Sequence, residues 1–267
     1  MGKKAPEVNL KTRLARNDLT IGSWITLAHP TIAEIMAKAG FEWLVVDLEH
    51  SAISMGEAAE LIRVIDLCGV VPLVRLSAND AVQIKRVMDA GAHGVIVPMV
   101  NSAMEAEQAV AAVRYPPLGR RGVGLARAQG YGTAFAGYRE WVNREAIVIV
   151  QVEHILAVNN LAAILAVEGV DGFIVGPYDL SGSLGFPGEF EHPQMAEALQ
   201  EIRRVAAKTG VAAGYHVVQP QPDLVQEKMT EGYSFIAYSV DFLFLGEMCR
   251  QGLTTIRQAL PVPAGAK

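Results

Sequence analysis

Residues 147–154 read Ile-Val-Ile-Val-Gln-Val-Glu-His, so that four branched aliphatic residues run into a polar end. The polar residues Asn143, Arg144 and Glu145 precede the stretch closely. A short apolar run bounded in this way is typical of a strand that is buried on both faces. Parallel strands of α/β barrels have this character, and barrel proteins place their chemistry at the carboxyl ends of the strands. The stretch therefore predicts a barrel strand with Glu153 at the mouth.

The same pattern recurs along the chain, each time followed by a segment with helical periodicity. The other predicted strands are residues 20–28, 43–50, 71–76, 94–100, 172–179, 211–217 and 235–241. Eight alternations without a linker predict an α/β fold, a single (β/α)8 TIM barrel domain over residues 1–267. The alternative is an open doubly wound sheet. Its dinucleotide-binding form is disfavoured because no GxGxxG follows the first strand.

Three segments fall outside the simple alternation, and the chain ends with the helix of the eighth alternation. Residues 1–19 form an N-terminal segment with a short amphipathic helix at 8–17. Residues 115–143, rich in Gly and Arg, are predicted to be an irregular loop insertion between the fourth helix and the fifth strand. Such a long insertion in a compact domain is usually functional. Residues 180–192 are predicted to be a loop, and residues 242–258 the last helix.

Composition narrows the class of protein. Hydrophobic residues make up 51% of the 267 residues, which is enough for a large core and argues against disorder. The net charge of −5 argues against nucleic acid as a partner. No run approaches the ~20 apolar residues of a membrane helix, and we expect a cytoplasmic protein with small-molecule partners. Cys68 and Cys249 lie in apolar helical patterns and are expected to be buried free thiols.

Acidic residues cluster at the ends of the second, fifth and sixth predicted strands. Glu153 and Asp179 end neighbouring strands, so two carboxylates can hold one hard divalent cation. A 2-oxo acid would fill further ligand positions, and the metal would polarise its carbonyl as a Lewis acid. The alternative is a pair of acids bonded to loop amides.

The ends of the second and third predicted strands carry further candidate residues. His50 is a candidate general base, since an unperturbed imidazole pKa of about 6.5 suits proton transfer near neutrality. Glu49 is expected to point to the opposite side from His50. Asp47 is expected to tether the loop. Arg75 ends an otherwise apolar strand, where its planar, permanently charged guanidinium group suits an anionic oxygen.

Two features that other barrel enzymes need are missing from the predicted strands and their turns, which argues against two kinds of reaction. A Schiff-base aldolase needs a lysine inside the barrel, and no lysine of this sequence falls on a predicted strand. A barrel phosphate site needs a Gly-rich turn after the seventh and eighth strands, and neither strand has one. Schiff-base chemistry and sugar phosphates are therefore disfavoured.

A set of short motifs, in order, resembles a known family. The motifs are Val46-Asp47-Leu48-Glu49-His50, Pro72-Leu73-Val74-Arg75, Asp89-Ala90-Gly91-Ala92-His93-Gly94, Arg120-Arg121-Gly122, Gln151-Val152-Glu153 and Gly176-Pro177-Tyr178-Asp179-Leu180-Ser181. Together they resemble the HpcH/HpaI family of class II pyruvate aldolases. The resemblance covers about residues 22–245.

The resemblance implies a divalent-metal-dependent lyase, with Mg, Mn, Co or Zn, that cleaves a 4-hydroxy-2-oxo acid to an aldehyde and pyruvate through the pyruvate enolate. By the same resemblance, Glu153 and Asp179 bind the metal, His50 is the general base, and Asp89 raises the basicity of His50. Arg75 stabilises the enolate oxygen and Gln151 contacts the substrate. The backbone amides of Tyr178 and Asp179 receive the pyruvate carboxylate. The resemblance also implies a homohexamer, a trimer of dimers, with the last helix exchanged between subunits.

The sequence departs from the family pattern at two positions and leaves other reactions open. His154 and Tyr178 stand where many members carry small residues, which leaves the identity of the aldehyde open. An acyl-CoA lyase of the citrate-lyase type, with Arg120, Arg121 and Arg127 near the mouth, is an alternative. Oxaloacetate decarboxylation on the same barrel and a non-enzymatic binding protein are others.

Overall fold

The computed structural model describes residues 9–259, which form a closed parallel barrel of eight strands. The strands are β1 (Thr20–Ile25), β2 (Trp43–Asp47), β3 (Val71–Arg75), β4 (Gly94–Val97), β5 (Ile147–Val152), β6 (Gly172–Val175), β7 (Ala212–Val217) and β8 (Phe235–Val240). Each strand pairs with the next in sequence, and β8 closes on β1. The predicted (β/α)8 barrel is confirmed, and residues 147–152 form its fifth strand.

Helices follow the strands and surround the barrel. They are α1 (Leu10–Ala15), α2 (Pro30–Ala39), α3 (Met55–Leu67), α4 (Ala81–Ala90), α5 (Ala103–Val113), α6 (Phe135–Glu145), α7 (Ile155–Asn159), α8 (Leu161–Leu165), α9 (Pro177–Ser183), α10 (Pro193–Thr209), α11 (Pro222–Thr230) and α12 (Asp241–Ala259). Ser54 and Glu57 form a reciprocal capping box at the start of α3, which stabilises that helix end. Gly40, Gly91 and Gly210 end α2, α4 and α10 in the left-handed conformation that glycine adopts without strain. In the part of the chain described here, no helix is long and apolar enough to cross a membrane.

Two hydrophobic layers hold the fold together. The outer layer lies between the strands and the helices and contains most of the aliphatic core. The inner layer fills the barrel, where the rings of Trp43 and Phe235 stack with their centroids 4.1 Å apart. Gly22 faces this stack, and a Cβ atom there would lie 2.0 Å from the Trp43 ring. The inner layer therefore has no room for a side chain on this part of β1.

Gly22→Ala is expected to destabilise the protein by about 3 kcal/mol, because it overpacks a filled barrel interior. Gly56→Ala in α3 is the matched control, since the nearest atom to its added Cβ is 3.9 Å away and alanine favours a helix. Urea unfolding of both variants measures the difference. Equal stabilities for the two variants would contradict the packing described here.

The structure corrects the expectation for residues 115–143. This insertion is not irregular throughout, because it contains a 3-10 turn at Arg127–Gln129 and most of α6. Aromatic packing explains the order, since Tyr138 stacks on Trp141 and Tyr115 packs edge-on against Phe135. The insertion lies between the end of α5 and the start of β5, so it covers the amino-terminal end of the barrel, away from the mouth.

Other boundaries also differ from the predictions. The sixth strand ends at Val175 rather than at residue 179, because Pro177 at the first helical position begins α9. The predicted loop at 180–192 therefore begins as a helix. The opening helix is shorter than predicted, at Leu10–Ala15, and residue 8 lies outside the described residues. The expectation of buried thiols is wrong: Cys68, which follows the end of α3, and Cys249, on α12, are both free and exposed.

Candidate active site

A cavity of about 390 Å³ opens at the carboxyl end of the barrel. Its volume suits a small organic substrate. It is lined by Trp24, Thr26, Asp47, His50, Arg75, Gln151, Ile174, Val175, Gly176, Pro177, Tyr178, Asp179, His216, Val218, Val240, Phe242 and Leu243. The lining is apolar toward β8 and α12 and polar toward β2, β3, β5 and α9. Five of the predicted site residues thus share one cavity.

Arg75 is held rigidly at the end of β3. Its Nε and Nη2 donate to the two carboxylate oxygens of Asp47 at 2.9 and 2.6 Å, and its Cζ lies 4.3 Å from the centre of the Trp24 ring. The side chain of Asp47 is 1% exposed and that of Arg75 is 11% exposed. Burial favours a higher pKa for Asp47, but the paired guanidinium outweighs it and lowers that pKa. Arg75 is therefore a fixed cation that still borders the cavity.

Asp47 also shapes the loop that carries His50. Its Oδ1 accepts hydrogen bonds from the backbone N–H groups of Glu49 and His50 at 3.0 and 3.3 Å. This agrees with the expectation of a loop-tethering acid. The His50 side chain is 59% exposed, and its Nε2 lies 3.8 Å from Glu49 Oε2. The expectation that Glu49 points away from His50 is wrong, because β2 ends at Asp47 and strand alternation does not continue into the loop.

Glu153 lies just beyond the end of β5 and is only 2% exposed. Its Oε1 accepts the backbone N–H of Met99 at 2.6 Å, and its Oε2 accepts Gln151 Nε2. Met99 has a φ of 53°, a strained conformation for a non-glycine residue, at the position that directs its N–H to the carboxylate. Gln151 Nε2 also lies 3.5 Å from Glu49 Oε2. Gln151 therefore links the carboxylates of β5 and the β2 loop.

Tyr178 and Asp179 belong to the first turn of α9 rather than to β6. Both are exposed at the mouth, and the ring of Tyr178 packs edge-on against Phe190. Gly176 precedes them, and a Cβ there would lie 3.2 Å from Glu153 Cβ. The absence of a side chain at residue 176 lets the start of α9 approach Glu153 closely.

The mouth carries an excess of negative charge. Burial raises the pKa of Glu153, and the charges of Glu49 and Asp179 raise it further. Burial also raises the pKa of Glu49, although Arg75 opposes this effect. A buried carboxylate with two acidic neighbours is stabilised by a bound cation, and oxygen donors suit hard divalent ions. The donor set therefore fits the divalent metal that the resemblance implies.

No group of three His, Cys, Asp or Glu side chains within residues 9–259 is arranged to hold a metal. The assignment of the metal to Glu153 and Asp179 therefore stays a prediction, with Glu49 as a charged neighbour. Mg²⁺ commonly uses one or two protein carboxylates and keeps waters or substrate oxygens in its other positions. A pair of ligands such as Glu153 and Asp179 agrees with this coordination by Mg²⁺.

Asp89 and the insertion arginines lie outside this cavity. Asp89 is near the carboxyl end of α4, where its Oδ1 accepts from Arg121 Nη2 at 2.5 Å. Arg127 pairs with Asp66 at the end of α3. Since α3 and α4 run away from the mouth, both ion pairs lie at the opposite end of the barrel. The chain therefore does not bring its own Asp89 to its own His50.

Four residues near the site were missed, misplaced or left without a role by the sequence analysis. The charge of Glu49 reaches Glu153 at the mouth. Trp24 and His216 line the cavity from β1 and β7. Strand alternation from Ala212 would have placed His216 inside the barrel. His154, whose role the sequence left open, caps α7 by accepting the Leu156 N–H on its Nδ1 at 3.1 Å.

Comparison with known proteins places the chain in a family. Residues 20–245 match the model of the family described as HpcH/HpaI aldolase/citrate lyase. A hydroxypyruvate/pyruvate aldolase from Sagittula stellata is 39% identical over 88% of this chain and 92% of its own length. A 2-keto-3-deoxy-L-rhamnonate aldolase from Escherichia coli is 37% identical over 92% of each chain.

Solved structures agree with this assignment. A crystal structure of an HpcH/HpaI aldolase/citrate lyase family protein from Burkholderia cenocepacia matches with a TM-score of 0.88 and 33% identity. The match covers 93% of this chain and 98% of that one. The resemblance drawn from the short motifs is thereby confirmed, and the chain belongs to the HpcH/HpaI aldolase/citrate lyase family.

Proposed function

We propose that this protein is a divalent-metal-dependent carbon–carbon lyase that cleaves a 4-hydroxy-2-oxo acid to pyruvate and an aldehyde. One observation carries the proposal: the rigid guanidinium of Arg75 and the carboxylate of Asp179 line one cavity, and the charge of Asp179 reaches the buried Glu153. The guanidinium suits an enolate oxygen, and the two carboxylates suit a cation beside it. The names of the two aldolase relatives agree with this reaction type.

Arg75 stabilises the negative charge that develops on the 2-oxo oxygen when the bond between C3 and C4 breaks. Its guanidinium group is already oriented by Asp47 and Trp24, so the side chain needs little reorganisation during the reaction. Gln151 contacts the substrate, and the amides of Tyr178 and Asp179 in the first turn of α9 receive its carboxylate. These groups hold the pyruvate half against β5 and α9.

His50 removes the proton from the 4-hydroxyl group, and the C3–C4 electron pair then moves into the enolate as the aldehyde leaves. A proton delivered to C3 completes pyruvate. The exposed imidazole at the cavity rim is accessible to the hydroxyl directly or through one water molecule. Glu49 Oε2 lies 3.8 Å from His50 Nε2 at the same rim.

Glu153 and Asp179 would hold the metal, Mg²⁺ or Mn²⁺ by their oxygen donors, with Co²⁺ or Zn²⁺ as further candidates. When bound, the ion supplies Lewis acidity next to the 2-oxo group. Met99 N–H and Gln151 Nε2 orient the Glu153 carboxylate, and so fix the direction in which its remaining lone pairs point.

The acyl-CoA alternative has less support. It relied on a basic mouth, but Arg121 and Arg127 are ion-paired at the other end of the barrel. Oxaloacetate decarboxylation uses the same enolate and stays a second candidate reaction.

A homohexamer in the cytoplasm, with α12 exchanged between subunits, also remains a proposal. It is supported by exposed apolar side chains along α12, including Leu245, Met248 and Ile256, which a partner subunit would cover. Oligomerisation would also allow Asp89 to act on the His50 of a neighbouring subunit, the role in raising its basicity that the resemblance implies.

The test compares three substrates under identical metal conditions. We expect pyruvate release from 4-hydroxy-2-oxopentanoate to have a kcat/KM well above that of oxaloacetate decarboxylation. We expect no cleavage of citryl- or malyl-type CoA thioesters. Cleavage of a CoA thioester without release from the hydroxy-oxo acid would contradict the proposal.

A further inference from the structure

The β4 loop, residues 98–102, is bonded at two points to the segment that follows β5. At the first point, the backbone N–H of Met99 donates to Glu153 Oε1 at 2.6 Å. At the second point, the side-chain Nδ2 of Asn160 donates to the backbone carbonyl of Asn101 at 2.8 Å. The loop is therefore held from both sides by the stretch of chain that carries Glu153.

The first of these bonds needs an unfavourable backbone conformation. Met99 has a φ of 53°, in the left-handed region that residues with a side chain avoid. Asn101 closes the turn from inside the loop, because its Nδ2 donates to the carbonyl of Met99 at 3.2 Å. The backbone N–H of Asn101 donates to Glu105 Oε2 at 2.6 Å, which ties the loop to the first turn of α5. Strain of this kind persists only where surrounding contacts impose it.

Asn160 supplies the contact from outside the loop. It lies at the joint between two helices, since it ends α7 and precedes α8. Among the described residues, its side chain makes no capping bond to α8, although asparagine is a common capping residue. A carbonyl oxygen can only accept, so the Asn160 amide is the donor to Asn101. Removal of this side chain therefore breaks a bond to the β4 loop without uncapping a helix.

The packing of Val100 also holds this loop. Its side chain is fully buried in the outer hydrophobic layer. Apolar packing is non-directional, however, whereas the Met99 N–H has to point at one carboxylate oxygen. The amides of Asn101 and Asn160 supply the directional contacts that packing does not.

We propose that Asn160 and Asn101 are positioning residues for metal binding, which act on Glu153 through the backbone of Met99. Together they impose the left-handed conformation on Met99, and the Met99 N–H then holds the carboxylate in the orientation in which it binds the ion. Loss of an outer contact that orients a metal ligand typically weakens metal binding by about tenfold to a hundredfold. This inference rests on the proposed function, in which Glu153 is a metal ligand.

The test measures the Kd of Mn²⁺ for the folded, metal-free protein by calorimetry. Asn160→Ala is expected to weaken binding roughly tenfold. Asn159→Ala, at the neighbouring exposed residue, is the matched control and is expected to bind Mn²⁺ as the wild type does. An unchanged Kd in Asn160→Ala would mean that packing alone holds the loop, and would overturn the inference.

Substitutions of Met99 test whether Asn160 acts through the backbone at that residue. Glycine adopts the left-handed conformation without strain, so in a Met99→Gly background Asn160→Ala is expected to weaken Mn²⁺ binding by less than about threefold. Met99→Ala also removes the thioether but keeps the strain, and in that background the loss should stay roughly tenfold. Equal losses in the two backgrounds would overturn the inference, because a general structural defect does not depend on the conformational freedom of residue 99.

Exchange of pyruvate methyl protons with D₂O separates failure of this inference from failure of the proposed function. A wild type that binds Mn²⁺ and exchanges these protons supports the proposed function, whatever the Kd of Asn160→Ala. Wild-type affinity in Asn160→Ala then refutes the positioning role alone. A wild type that neither binds Mn²⁺ nor exchanges the protons would refute the proposed function, and the inference with it.

Discussion

Glu153→Gln is expected to lower metal-dependent turnover by about a thousandfold or more, because the Lewis acidity of a bound metal lowers the barrier of such reactions by several kcal/mol. The amide keeps the size of the side chain, and its oxygen can still accept the Met99 N–H. The variant should therefore fold normally while holding the metal weakly. Steady-state kinetics over a range of Mn²⁺ concentrations measures the loss.

The same variant should stabilise the metal-free protein at neutral pH. The pKa of Glu153 is raised in the folded state, so the folded protein binds more protons than the unfolded chain between the unfolded and folded pKa values. Its stability therefore falls as pH rises through that window, which begins near the unfolded glutamate pKa of about 4.3. Below that pH the folded and unfolded states are equally protonated at this residue, and the advantage of the variant should vanish.

Denaturant unfolding of the metal-free proteins at pH 7 and at pH 4 tests this dependence. Glu168→Gln, on an exposed residue before β6, is the control and should change neither activity nor stability. A Glu153→Gln enzyme with wild-type turnover, or one less stable than wild type at pH 7, would contradict the role assigned to this carboxylate.

Arg75→Ala is expected to lower kcat by about a hundredfold to a thousandfold, the usual effect of losing one preorganised donor to a developing oxyanion. Metal binding should survive, because neither candidate ligand is bonded to Arg75. Titration with Mn²⁺ by calorimetry, beside the kinetics, separates the two effects. Loss of metal binding together with activity would contradict the separate roles given to Arg75 and Glu153.

The Arg75 variant also has a structural cost that must be controlled. Removing the guanidinium leaves the buried carboxylate of Asp47 unpaired, which typically costs about 3–5 kcal/mol. The lowered pKa of Asp47 means that its pair contributes stability above the unfolded aspartate pKa, and that this contribution is lost as pH falls through the folded value. The double variant Asp47→Asn/Arg75→Ala removes both charges. It should recover stability without recovering turnover.

The barrel could be predicted from the sequence because parallel strands buried on both faces are continuous apolar runs. Residues 147–152 are such a run, and the observed strand covers them. Strand ends were harder to predict. The sixth run was extended to Asp179, but Pro177 begins a helix there, so Tyr178 and Asp179 offer the backbone of a helical turn at the mouth.

The site was predictable where it follows from strand ends and not where it depends on loops. Arg75 and Asp47 lie opposite each other in the strand register, which explains their ion pair. Glu49 lies in a loop whose path is set by hydrogen bonds to Asp47, and strand alternation gave the wrong side for it. His216 lies in the seventh predicted strand, and alternation places it inside the barrel, but its position in the sequence predicts no role for it.

Pyruvate proton exchange in D₂O, followed by NMR, tests the central claim most directly, since it reports enolate formation without any aldehyde. Divalent ions are first removed with a chelator, and the chelator is then removed by dialysis. The wild type treated in this way should not exchange the methyl protons. Addition of Mg²⁺ or Mn²⁺ should restore exchange in the wild type and not in Glu153→Gln. Exchange at the full rate in the presence of excess EDTA would contradict a metal-dependent enolate mechanism.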